Sequence, residues 1–134
     1  QVLAVGLNSF GQLGIASSSS STSSVALVRD QSGSPLENIT QVSASNSHTL
    51  FLRSDGTVFG AGYNKYGYLC NSTAVEKQTW AGVIMPSSVV SIVAGSSWSV
   101  FVLRSNTAQT CSTSPADPVA IPSVSNVARA YGAG

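Results

Sequence analysis

Apolar residues in this chain come in short runs separated by polar turn residues, with no stripe at helical spacing. Thr49 to Leu52 and Val100 to Leu103 are two such runs, and both are rich in strand-favouring residues. The first leads into Ser54-Asp55-Gly56-Thr57. Asp-Gly is a strong hairpin signal because the tight turn between two strands needs positive φ. Val58 to Gly62 is therefore expected to return as the next strand. Gly60 and Gly62 lack side chains, which permits a bulge or a close approach between sheets. Asn64 opens a further turn, and Gly67 supplies a conformation that other residues resist. The pattern predicts an all-β protein.

The pattern also repeats. Residues 2–14, from Val2 through Gly6, Asn8, Gly11 and Leu13, align without gaps on residues 58–70, from Val58 through Gly62, Asn64, Gly67 and Leu69. A second pair of segments matches Val42 to Leu52, which carries His48, with Ile92 to Val102, which carries Trp98 at the same place. The offsets are 56 and 50 residues, and periods in that range belong to blades, solenoid turns or arrays.

Three stretches carry a resemblance to a known family. Gln41-Val42-Ser43-Ala44, His48-Thr49-Leu50-Phe51-Leu52, Asp55-Gly56-Thr57-Val58 and Gly62-Tyr63-Asn64-Lys65-Tyr66-Gly67-Tyr68-Leu69 together resemble one repeat of the regulator-of-chromosome-condensation family. Val5 to Gly14 is similar to the closing half of the preceding repeat, and Ile92 to Leu103 to the opening half of the next. The resemblance implies four-stranded antiparallel blades of the kind that close, seven to a ring, into a β-propeller. It also implies structural roles within the blade for Gly6, Asn8, Gly11, His48, Asp55, Gly56, Gly62, Asn64 and Gly67. The expected organisation is one repeat-built domain over 1–134. It divides into a closing half-repeat with a serine-rich loop (1–40), a complete repeat (41–90) and a degenerate repeat (91–134).

This chain holds about two to two and a half blades, an incomplete ring open to completion by neighbouring copies. The third repeat departs from the pattern. No Asp-Gly follows Arg104-Ser105-Asn106, and Pro115, Pro118 and Pro122 limit any central strand. The last residues, Asn126 to Gly134, read naturally into Gln1 to Gly6. Unpaired strand edges at both ends invite pairing with another copy, which closes a ring or continues as a filament. The alternative is a fragment of a larger propeller.

Composition narrows the functions. Charged residues are 8% of the chain, hydrophobic residues are 43%, and the net charge is +1. Serine and threonine fill the gap, at roughly a quarter of the residues. The cations Arg29, Arg53, Lys65, Lys77, Arg104 and Arg129 are scattered, so a nucleic-acid interface is not expected. No apolar run approaches the twenty or so residues of a membrane span, and the first residues do not read as a signal peptide. His48 is the only histidine, and no metal or cofactor is expected. A Ser-His-Asp arrangement with Asp30, Asp55 or Asp117 lacks the Gly-x-Ser-x-Gly elbow, no pair of acids suits glycoside chemistry, and no enzyme is expected.

Cys70 and Cys111 read either as a disulfide tying a blade's exit to the degenerate repeat or as two free thiols. Asn38 and Asn71 each open an Asn-x-Ser/Thr sequon. The run over Ser17, Ser18, Ser19, Ser20, Ser21 and Thr22 is held by packing on a neighbour, by O-glycosylation, or as a plain ordered loop. Trp80, Trp98, Phe51, Phe59, Phe101 and Tyr63 read as core and blade-stacking residues, with Tyr66 and Tyr68 as conceivable exposed contacts. The expectation is an extracellular, glycosylated structural protein that self-associates head to tail. The second reading is a fragment of a secreted propeller that binds a protein partner, and a GTPase exchange factor comes after both.

Overall fold

A computed structural model describes residues 1–71, 75–85, 88–112, 118–121 and 128–130. The described residues form ten antiparallel strands: β1 (Leu3–Leu7), β2 (Ser21–Leu27), β3 (Ile39–Ala44), β4 (His48–Arg53), β5 (Val58–Tyr63), β6 (Lys77–Met85), β7 (Val89–Ala94), β8 (Ser99–Leu103), β9 (Ala108–Cys111) and β10 (Val119–Ala120). They make three sheets: β1-β2, β3-β4-β5-β6 and β7-β8-β9-β10. Each strand pairs with its sequence neighbour, the meander expected when short strands are joined by tight turns.

The repeat recurs in atomic detail. Leu7 pairs with Ser21 as Tyr63 pairs with Lys77, so β1-β2 corresponds to the outer two strands of the second sheet. The register shifts between Ala4 and Gly6, and again between Gly60 and Gly62, so the expected bulge occurs in both copies. At the Asp55-Gly56 hairpin, the Arg53 N–H donates to the Thr57 carbonyl at 2.8 Å and the Gly56 N–H to the Arg53 carbonyl at 2.9 Å; Leu103, Thr107 and Asn106 repeat both bonds in the third sheet.

Two expectations are corrected. The serine run is not all loop: from Ser21 onward it is β2, because pairing with β1 satisfies its backbone whatever its side chains. The third repeat keeps the hairpin that it was expected to lose, with Asn106 (φ 62°) standing where Gly56 (φ 88°) stands in the second. Asparagine tolerates the left-handed region better than most residues, so it can replace the glycine. A fourth strand also completes the third sheet. It is the two-residue edge β10, directly after Pro118, a place where a missing N–H is harmless. Pro115, Asp117, Pro122 and most of the tail lie outside the described residues.

The second sheet contributes both faces to packing. Val28, Leu36, Phe51, Phe59, Ala61 and Ala81 fill the seam between the first and second sheets, with Val2, Ala4 and Ile39 against them. Leu50, Leu52, Val58, Leu69, Ile84, Ile92 and Phe101 fill the seam between the second and third. Burying each such side chain contributes about 1.5–3 kcal/mol. The Cys70–Cys111 disulfide crosses this second seam with Cα atoms 5.6 Å apart, both residues being buried.

Candidate functional site

The polar groups that tie one blade to the next converge on His48, which is fully buried at the start of β4. Its Nε2 lies 3.0 Å from the Ser99 hydroxyl of β8, and its Nδ1 lies 3.0 Å from the Ser45 hydroxyl. Ser99 gives its one hydrogen to the Tyr68 carbonyl at 2.7 Å, so it must accept from His48. That assigns the proton to Nε2 and leaves Nδ1 an acceptor facing the Ser45 hydroxyl, whose one hydrogen is shared with the His48 carbonyl at 3.0 Å. Burial pushes the imidazole down to about 4, so it is neutral at physiological pH. Among the described residues, the two acids of a Ser-His-Asp arrangement are engaged elsewhere. Asp30 accepts from Ser32 and Ser34, and Asp55 from Thr57 while paired with Arg53 at 2.8 Å. Arg53 and the Thr57 N–H hold the Asp55 carboxyl well below the usual carboxylate range.

A second clasp joins the inner strands. The Gln41 side chain acts as a short piece of strand: its Nε2 donates to the Ile92 carbonyl at 2.9 Å, and its Oε1 accepts from the Ile92 N–H at 3.1 Å. Beside it the Ser43 hydroxyl accepts from the Ala94 N–H at 2.9 Å. Ser45, Ser99, Gln41 and Ser43 were not singled out from the sequence. Gln41, Ser43 and Ser99 stand inside the stretches that carry the family resemblance, and Ser45 stands next to one of them.

The two repeat asparagines play one role. Asn8 Oδ1 accepts from the Leu13 N–H at 3.1 Å, and Asn64 Oδ1 from the Leu69 N–H at 2.9 Å. Their amide nitrogens donate as well. Asn8 Nδ2 captures the carbonyls of Ser17 and Ser19, which holds the serine loop in place. Asn64 Nδ2 donates to Asn71 Oδ1 at 2.8 Å. Glycine is required at two nearby points: a Cβ on Gly62 would collide with the Ser47 carbonyl and His48, and one on Gly11 would sit 2.8 Å from the Gln78 carbonyl. Both also have positive φ, as do Gly6 and Gly67.

The surface carries two features. Phe10, Tyr63, Tyr66 and Tyr68 form a cluster of rings about 5–6 Å apart, with Lys65 Nζ 6.0 Å from the Tyr66 centroid. Phe10 and Tyr66 are exposed, whereas Tyr68, expected at the surface, is buried against His48. The larger feature is the uncovered side of β1-β2, where Leu3, Val5, Leu7 and Val25 are 63%, 53%, 72% and 63% exposed. The residues at the same places in β5 as Leu3 and Val5 are Phe59 and Ala61, which are 6% and 0% exposed beneath the first sheet.

The expected modification sites are separated by the fold. Asn38 is exposed, whereas Asn71 is partly buried in a side-chain network. Ser18, Ser19, Ser20 and Ser21 are exposed, and Ser17 and Thr22 are partly covered. Phe51 and Phe101 are buried with Phe59, while Trp80 and Trp98 are half-buried.

Blades of four antiparallel strands, packed face to face and built on this repeat, define a β-propeller protein. The regulator of chromosome condensation (RCC1) repeat matches residues 1–52 in one family model and residues 39–67 in another, together half of the chain. The chain belongs to that family. No curated protein matches the sequence. Among solved structures, human WBSCR16 is similar at 22% identity and TM-score 0.76, over 88% of this chain and 32% of that one. Yeast RCC1 (Prp20), solved with Kap60, is similar at 20% identity and TM-score 0.62, over 93% and 31%. Prp20p of Saccharomyces cerevisiae, in a structure described with its binding to Gsp1p and histones, gives 21% identity and TM-score 0.53, over 93% and 32%. The chain thus spans about a third of the length of these propellers.

Proposed function

We propose that this chain is an extracellular, glycosylated structural unit that assembles head to tail through its blades. The observation that carries the reading is the uncovered apolar side of β1-β2. Leu3, Val5, Leu7 and Val25 lie in water, although the same side of the second sheet is sealed by its neighbour. Contiguous exposed apolar surface of this kind marks an interaction site. The repeat specifies the occupant, a blade presenting the surface that Val2 and Ala4 present to the second sheet. Another copy, with its segments 1–40, 41–90 and 91–134 acting as one repeat-built domain, supplies such a blade. The buried disulfide and the scarcity of charge support an oxidising, extracellular setting.

Sedimentation velocity over a concentration series, with electron microscopy of the same samples, tests this. Association that strengthens with concentration and is lost in a Leu3→Asp/Val5→Asp variant is expected. A wild-type chain that stays monomeric at every concentration overturns it. The second reading is a fragment of a secreted propeller that binds a protein, inhibitor-like or receptor-like. It is favoured by the one-third coverage of whole propellers and by the exposed Phe10 and Tyr66. A GTPase exchange factor ranks below both, because the buried disulfide does not suit a reducing compartment.

A further inference from the structure

The two sequons are not equivalent in the fold. Asn71 belongs to a hydrogen-bonded relay whose polarity is set at both ends. At one end the Leu69 N–H must donate, so Asn64 accepts through Oδ1 and donates through Nδ2 to Asn71 Oδ1. Asn71 is therefore turned so that its Nδ2 donates to Gln78 Oε1 at 3.1 Å. Gln78 Nε2 then donates to the Gly60 carbonyl at 2.6 Å, an acceptor that closes the relay. Reversing any one amide would set donor against donor somewhere along the chain.

Asn71 is half-buried, and its two partners in the relay are buried. Asn64 and Gln78 are 2% and 7% exposed, and Gln78 lies so flat on Gly82 that a Cβ there would collide with it. The Asn71 nitrogen, the atom that would bond a sugar, is thus aimed into the sheet. Asn38 differs in every respect: it is exposed in the turn before β3, and its backbone carbonyl already accepts from the Ser54 N–H at 2.9 Å. A sugar there extends into water without disturbing that bond.

We infer that Asn38 is the N-glycan acceptor of the folded protein and that Asn71 remains an unmodified structural amide. The inference rests on passage through a glycosylating compartment, as the proposed function requires. A sugar added to Asn71 during synthesis would hinder closure of the relay, and such chains would be depleted from folded material.

The chain should be secreted from a eukaryotic host, and its disulfide-intact monomers and oligomers collected together. Glycans are then released enzymatically in heavy-oxygen water and the peptides mapped by mass. The expected result is labelled aspartate at position 38 and unlabelled asparagine at 71. Asn38→Asp, which tolerates the φ of 58° at this position, should remove the glycan mass and leave the melting temperature little changed. Asn71→Gln should keep that mass and melt lower. A label at 71 in folded material overturns the inference, as does an unoccupied Asn38. Because the host supplies the compartment, these outcomes are separate from whether the native protein is extracellular or polymeric, which sedimentation and microscopy decide.

Discussion

At the scale of single residues, His48 is the most consequential group. Its imidazole is neutral and hydrogen bonded between Ser45 and Ser99, with the proton on Nε2. The folded protein binds that proton at about 4, against 6.5 for a free histidine, so the unfolded chain takes up protons first as pH falls. Stability from this group is complete above pH 6.5 and is lost as pH falls toward 4, by up to about 3 kcal/mol. Urea unfolding at pH 7.5 and 4.5 should show the loss in the wild-type chain. A His48→Gln variant should be less stable at the higher pH and show a flatter pH dependence. Equal pH dependence in both proteins would remove His48 as the cause. No carboxylate contacts the imidazole among the described residues, so the dominant cause is burial.

At the scale of elements, the inner strands β3 and β7 are joined by side chains in place of a continuous ladder. Gln41 and Ser43 together satisfy the Ile92 N–H, the Ile92 carbonyl and the Ala94 N–H. Joining by side chains lets neighbouring sheets splay apart, as blades around an axis must, while leaving few backbone groups unpaired. Gln41→Ala removes two of these bonds and should destabilise the protein by about 1–2 kcal/mol. The local sign is faster hydrogen exchange at Ile92 with little change at Phe51, which is measurable by mass spectrometry or NMR. If both amides quicken equally, the clasp has no local role and the effect is global. The same view explains the third repeat: Asn106 keeps the hairpin, so β8 and β9 pair in the register that β4 and β5 use.

At the scale of the molecule, two seams with different fastenings hold three sheets together. The first relies on packing around Phe51 and Phe59, and the second adds a disulfide across Cys70 and Cys111. A cross-link closing a span of 41 residues stabilises by about 4 kcal/mol in the chain-entropy treatment. Replacing both cysteines by serine should lower the urea midpoint accordingly, and reducing the wild-type chain under denaturing conditions should bring it to the same value. If neither change moves the midpoint, the second seam is held by its apolar residues alone. Such a result would also remove one support for an oxidising compartment. The uncovered side of β1-β2 belongs to this scale too, since Leu3 and Phe59 are both large apolar residues at one place in the repeat. What differs is whether a sheet lies over them.

Much of this was legible in the sequence, because period and turn chemistry act locally. Runs of four or five strand-forming residues, Asp-Gly at 55–56 and the recurring Gly-x-Asn-x-aromatic-Gly are enough to specify strands, hairpins and a repeat. The repeat in turn points to propeller blades, and the family match over residues 1–67 agrees. The serine run misled because composition reports side-chain hydration, whereas Ser21–Leu27 is a strand through backbone pairing with β1. The absent Asp-Gly in the third repeat misled because Asn106 reaches the same φ by another route. Tertiary structure alone decided the rest. It set which serines meet His48, which way the Asn71 amide faces and which apolar residues stay uncovered. Ser99 lies 51 residues from His48 and the Gly60 carbonyl 18 from Gln78, and the uncovered side depends on a sheet face that no local pattern encodes. The sequence determined what kind of blade is made; packing decided what each blade's polar groups touch.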